Sequence, residues 1–290
     1  MKNNWTPIFY AILAAALYAI SSPFSKLLLN RISPSMMAAF LYLGAGIGMG
    51  ILRYIKGKIG KASKETPLTK KELPYTIAMV ILDIIAPIFL MVGLSKTTAA
   101  NASLLNNFEI VTTSLIALIV FKEAISKRLW IAISLVTLSS IILSFEDISS
   151  FSFSLGSVFV LLACISWGFE NNCTRMMSHK DPTEIVIIKG LASGIGSFAI
   201  ALAIGESLPS IAYVLFALLL GFVAYGLSIF FYVHAQRSLG AAKTSTYYAF
   251  APFIGVALSL IIFKSNLSIA FIAALVIMII GTYYASTDNN

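Results

Sequence analysis

At 290 residues, 59% hydrophobic and only 11% charged, this chain cannot present a water-facing surface all round, which excludes an ordinary soluble domain. Its mean hydropathy of +0.91 overrides the one or two soluble domains that length alone suggests. The net charge of +8 is read as lysine and arginine facing an anionic leaflet rather than as a nucleic-acid footprint.

A helix needs about 20 apolar residues to cross a bilayer. On that ruler the chain divides into ten spans, at about 8–29, 34–55, 74–94, 97–121, 129–145, 155–175, 183–205, 211–235, 241–263 and 267–285. The first is longer than a signal h-region and shows no small-residue cleavage site, so it is expected to be retained. It carries Tyr18 and Pro23. The second carries Gly44, Gly46, Gly48 and Gly50, and a lysine-rich loop, 56–73, follows it. The third holds Asp83 and Pro87, and the fourth holds Asn106, Asn107 and Glu109. The sixth contains Trp167, Glu170 and Asn171, with Cys164 and Cys173 in an apolar stretch that suggests neither a disulfide nor a metal site. The seventh carries Lys189, Gly190, Gly194 and Gly196, the eighth Tyr225 and His234, and the ninth Tyr248 and Pro252.

Charge placement tests the count. With the amino terminus in the cytoplasm, fifteen lysines and arginines fall on the cytoplasmic side, four on the outer side, and Lys189 inside a span. The positive-inside rule then favours ten spans with both termini cytoplasmic.

The chain also repeats itself. Residues 93–126 align without a gap on 235–268, with nine identical pairs in 34, among them Phe108/Phe250, Lys122/Lys264 and Ser126/Ser268. Tyr18–Lys26 likewise echoes Trp167–Arg175, an aromatic followed eight residues later by a cation. Five spans followed by five more force the second copy to enter the membrane from the opposite side. The expected fold is therefore all-α and integral to the membrane, ten transmembrane helices as two inverted five-helix repeats, 1–147 and 148–290. Such repeats place a substrate site near the midplane.

The stretches Ala99–Leu105 and Ile116–Ser126, with Phe121-Lys122-Glu123, resemble the EamA-type repeat of the drug/metabolite transporter superfamily. Leu239–Ala242, Ala251-Pro252 and Phe263-Lys264 resemble it again. The resemblance implies ten helices, a central cavity, and transport of small metabolites or drugs, tilted toward export. Two positions depart from the pattern. Ile110 stands where the second copy has Pro252, and Ser265 where the first has Glu123.

Ionisable groups inside a span are costly and mark functional sites. Asp83 and Glu109 lie near the bilayer middle and are read as a cation or proton site, the competing reading being a structural contact such as Asp83 to a hydroxyl. Glu170 and Lys189 are placed to pair across adjacent antiparallel helices, in a structural bridge or a functional one. Asn106, Asn107 and Asn171 are expected to face the interior, since amides in lipid need partners. Tyr18, Trp167, Tyr225 and Tyr248 supply rings for a cation–π pocket. Pro23, Pro87 and Pro252 are candidate hinges. The two isolated histidines exclude a clustered metal centre, no Walker-type loop is present, and no cofactor is expected.

The function expected is secondary transport of amino acids, amines or drugs by alternating access, proton-coupled at the carboxylates, in the plasma membrane. The competing class is a membrane enzyme acting on a lipid or prenyl substrate. The partners are a small molecule, protons and the bilayer, not nucleic acid, and the glycine faces leave room for a homodimer.

Overall fold

The computed structural model describes residues 5–59, 65–122, 125–147, 152–239, 244, 247–264 and 267–287. Its helices are α1 Trp5–Ala19, α2 Ser21–Leu28, α3 Pro34–Lys58, α4 Leu73–Lys96, α5 Ala99–Leu105, α6 Phe108–Phe121, α7 Lys127–Ser144, α8 Leu155–Met177, α9 Pro182–Ala203, α10 Ile211–Gly221, α11 Ser228–Leu239, α12 Ala251–Phe263 and α13 Ile269–Ser286. A π-helical turn, Phe222–Leu227, joins α10 to α11. The only strands among the described residues form a two-stranded antiparallel ladder, β1 Phe145–Asp147 with β2 Ser152–Phe153.

Eight helical segments are long and apolar enough to cross a membrane, and α12 is a shorter apolar helix. Two of the ten expected spans fall short of that measure for visible reasons. α8 is 23 residues long but carries Glu170, Asn171, Asn172 and Arg175 in its second half. α12 has 13 residues, and much of the chain before it, including Ala241, Ala242 and Ser245 of the repeat, lies outside the described residues. Glu123 and Ser265 lie outside them too.

The burial pattern is that of a chain solvated by lipid. Large apolar side chains point outward, with Ile269, Ile119 and Ile211 all more than two-thirds exposed. Small and hydroxylated residues fill the interior, which in a bilayer must satisfy its own polar groups. Ser140 and Ser259 donate to carbonyls one turn back in their own helices, at 2.8 and 2.7 Å. Ser139 bonds the Ala274 carbonyl at 2.7 Å, tying α7 to α13, and Thr112 bonds the Cys164 carbonyl at 2.8 Å, tying α6 to α8.

Helix starts follow from local chemistry. Thr98, Ser126, Ser154, Asp181 and Ser268 each accept a backbone N–H as side-chain N-caps. Ser33 makes no such bond before α3. Glu206, from the other half of the chain, supplies the cap instead, accepting from Ser35 and Met36 N–H at 3.1 and 2.7 Å. Lys122 and Lys264, an identical pair of the repeat, both end their helices in the left-handed conformation, with φ of 55° and 49°. Neither is a glycine, so the same uncommon backbone has been kept twice.

Glycines set the central packing. α3 lies against both α9 and α10. A Cβ on Gly190 would stand 2.3 Å from the Gly46 nitrogen, and one on Gly221 would stand 2.0 Å from the Leu41 carbonyl oxygen. Only glycine lets these backbones approach so closely.

The expected hinges differ in kind. Pro87 sits inside the unbroken α4, and Pro23 follows directly on the α1–α2 break at Ile20. Pro252 corrects the reading of a mid-helix proline: it occupies the first turn of α12, where its missing N–H costs nothing. The fourth expected span is broken as well, at Asn106-Asn107, between α5 and α6.

Candidate functional site

Four helices bring charge together in the middle of the bundle. Lys189 of α9 reaches Asp83 of α4 at 3.1 Å and Glu170 of α8 at 2.9 Å. The Tyr42 hydroxyl, from α3, donates to Asp83 at 2.8 Å, and the Thr174 hydroxyl donates to Glu170 one turn along α8. All three charged side chains are buried, Asp83 completely. The Glu170–Lys189 pair matches the expectation from antiparallel neighbours. Asp83 makes the hydroxyl contact weighed for it, to Tyr42, and an ion pair to Lys189 besides.

Glu109 stands apart from this triad. It occupies the first turn of α6, just past the helix break, and accepts a 2.5 Å hydrogen bond from Asn171 Nδ2. Asn171 also reaches the Thr113 hydroxyl at 3.4 Å. Because Glu170 and Asn171 are consecutive on α8, one helix turn addresses both carboxylate centres. Asn172 faces elsewhere and bonds the Gly168 and Thr113 carbonyls.

Between the two centres lies a cavity of about 60 Å³. Glu109, Asn171, Glu170 and Lys189 line it together with Tyr18, Tyr42, Trp167, Tyr225, Tyr232 and Tyr248, while Asp83 stays behind the wall. A second cavity of about 30 Å³ shares Tyr18, Glu109, Tyr232 and Tyr248 with it and adds Asn106, Asn107 and Thr113. The rings form a connected series. Tyr42–Tyr225, Tyr225–Tyr18, Tyr18–Tyr248 and Tyr248–Tyr232 have centroids 5.3, 5.6, 5.5 and 5.0 Å apart. Ser21 donates to the Tyr225 hydroxyl at 3.2 Å. Ser228, just past the π turn, bonds the Ala14 carbonyl at 2.9 Å and meets the Tyr248 hydroxyl at 3.4 Å.

Every residue singled out from the sequence as a substrate or proton group lines one of these two cavities, except Asp83, which lies behind the wall of the first. Residues that sequence reasoning left out of the site are Tyr42, Lys189, Thr174, Thr113 and the two serines. Lys189 was visible as an intramembrane cation; Tyr42 was marked only by lying in the most glycine-rich span.

The end of the bundle that gathers the lysine-rich loop is tied shut between the two halves of the chain. Arg237 forks onto Glu65 at 2.8 Å and donates to the Lys180 carbonyl at 2.5 Å. Lys180 approaches Glu72 at 3.5 Å and Arg53 approaches Asp181 at 3.6 Å. The Leu68 N–H donates to Glu184 at 3.0 Å, and the Asp181 N–H donates to the Thr66 carbonyl at 2.9 Å. The Arg237–Glu65 pair is partly exposed, so it contributes at most about 1 kcal/mol. Arg237→Gln is expected to lower stability by about that much and to raise protease cleavage within 65–72 several-fold; unchanged cleavage would show that the backbone bonds hold the loop without it.

A polytopic helical bundle enclosing a polar, tyrosine-lined chamber is the class these observations define. The EamA-like transporter family model matches residues 5–145 and again 154–287, and the chain belongs to that family. An uncharacterized transporter of Methanothermobacter thermautotrophicus is 24% identical over 300 aligned positions, covering 98% of this chain and 86% of the relative. A solved crystal structure superposes with a TM-score of 0.71 at 13% identity, covering 98% of both chains, a likeness of fold. The chain is thus a multi-pass membrane protein of a transporter family, as its sequence resemblance implied.

Proposed function

We propose that this protein is a secondary transporter that exports a small amine-bearing metabolite across the plasma membrane, in exchange for protons, by alternating access. Its ten crossings form two inverted five-helix repeats, 1–147 and 148–290, with both termini cytoplasmic. Three features support the inverted arrangement. The family model matches twice. Lys122 and Lys264 cap their helices alike, and Ser126 and Ser268 begin the next ones alike. Packing partners also exchange under the repeat: α3 lies on α9 and α7 on α13, while α4 against α8 is mirrored by α11 against α1. Two halves that meet through such equivalent contacts have two equivalent ways to lean on each other.

The observation that carries the transport reading is Glu109, a carboxylate on the wall of an aromatic chamber between the halves. A carboxylate there binds either an ammonium or a proton, and competition between them couples one flux to the other. Glu109→Gln keeps shape and hydrogen bonding but loses charge. In proteoliposomes it is expected to reduce amine flux about 10- to 100-fold and to remove its pH dependence. Flux and pH profile equal to the wild type would sink the mechanism.

A further inference from the structure

We infer that the chamber accepts the free amine of a substrate and rejects the corresponding amino acid, so that the cargo is a carboxylate-free primary amine. This inference rests on the transporter reading above and narrows its substrate.

Asn106 and Asn107 are 6% and 1% exposed, and the Oδ1 of each lacks a hydrogen-bond partner among the described residues. Both side chains line the same small cavity as Glu109. One oxygen of Glu109 is engaged by Asn171; the other is left for a ligand. Two amide oxygens and a carboxylate oxygen around one cavity match the three N–H donors of a primary ammonium. Buried acceptors of this kind are costly unless something donates to them. Tyr18, Tyr232 and Tyr248 line the same space, where an aromatic ring adds a further attraction for a cation.

The chamber and its wall hold three carboxylates, Glu109, Glu170 and Asp83, and Lys189 is the one cation among the described residues lining it. That ammonium is already held by Asp83 and Glu170. Among the described residues, the two helix starts at the small cavity supply no positive charge either. The amino-terminal end of α6 is occupied by Glu109 in its first turn, and that of α12 presents Pro252, which has no N–H. The Asn107 Nδ2 group is also unpartnered, but one neutral amide does not compensate a desolvated carboxylate. A substrate carboxylate would therefore enter beside three carboxylates with no uncommitted cation among the described residues to receive it.

Matched pairs that differ only by the carboxylate test this directly: putrescine against ornithine, agmatine against arginine, tyramine against tyrosine. Each is added to the purified full-length protein in detergent and the melting temperature is followed over concentration, since a ligand of the folded state raises it. At least one amine is expected to shift the melt, with its parent amino acid weaker by on the order of a hundredfold. Asn107→Leu is expected to weaken the amine response at least about tenfold while the unliganded melt stays within the wild-type range. The wild-type pairs need no variant, so a misfolded Asn107→Leu leaves the test intact. An amino acid that shifts the melt as strongly as its amine overturns the inference and leaves transport standing. No response to any amine, with counterflow of some other solute in proteoliposomes, overturns it equally. No exchange of any solute sinks the transporter reading itself.

Discussion

Lys189→Met is expected to cost about 3–5 kcal/mol, the largest loss of any single side chain here, because it removes one cation from between two buried carboxylates. Asp83 is fully buried and Glu170 is 2% exposed, so neither can turn to water. The hydrogen bonds from Tyr42 and Thr174 would remain, but they do not cancel charge. Met fills the volume of the lysine stem, which separates the electrostatic loss from a cavity effect. The double variant Lys189→Met/Asp83→Asn is expected to recover a substantial part of that loss, because it removes a carboxylate along with the cation. Melting of both variants in detergent, set in a double-mutant cycle with Asp83→Asn, reads the coupling. A single variant as stable as the wild type would mean that the triad is not closed around Lys189 in the folded protein.

Gly190→Ala carries the second large effect, through shape instead of charge. Its new Cβ would lie 2.3 Å from the Gly46 nitrogen, 2.6 Å from the Gly46 Cα and 2.8 Å from the Tyr42 carbonyl oxygen. All three neighbours are backbone, so α3 and α9 must separate. Overpacking of this kind costs about 1–3 kcal/mol. The damage extends to the site, since Lys189 is the next residue on α9 and Tyr42 sits on the α3 face being pushed away. Transport is therefore expected to fall by more than the loss of folded protein explains. Gly50→Ala on the same α3 is the control: nothing lies within 4 Å of its Cβ, and the exchange is expected to be neutral or to stabilise by up to about 1 kcal/mol. If both variants melt and transport alike, the α3–α9 contact is looser than these distances require.

What could be read from the sequence followed the range of the interaction. Hydropathy is a local sum, so eight of the ten expected spans were legible, to within a few residues. The Glu170–Lys189 contact was legible because α8 and α9 are consecutive and antiparallel. The Asp83–Lys189 contact was not: it joins α4 to α9, 106 positions apart in the chain, and no local pattern orients one toward the other. Tyr42 was passed over for the same reason, its partner lying on another helix. The break at Asn106-Asn107 had a signal, two adjacent amides in an apolar run, which reported interior placement and not the change of helix. The start of α12 was hidden by composition, because Tyr247, Tyr248, Ala249 and Phe250 carry apolar sequence right up to it. The cap that Glu206 places on α3 was invisible because it comes from about 170 positions away in the chain.

The π turn Phe222–Leu227 has a geometric consequence for the chamber. Before it, α10 presents Gly221 to the α3 backbone; after it, α11 presents Ser228 to the Ala14 carbonyl of α1 and Tyr232 to the cavity. A bond to the fifth residue instead of the fourth inserts one residue into the winding, and each residue of an α-helix turns about 100°. The two segments are therefore out of phase by about that angle, so one continuous rod shows one side to α3 and a different side to α1. An unbroken α-helix would keep a single phase, and Ser228 and Tyr232 would be carried around the axis away from the tyrosine series they complete.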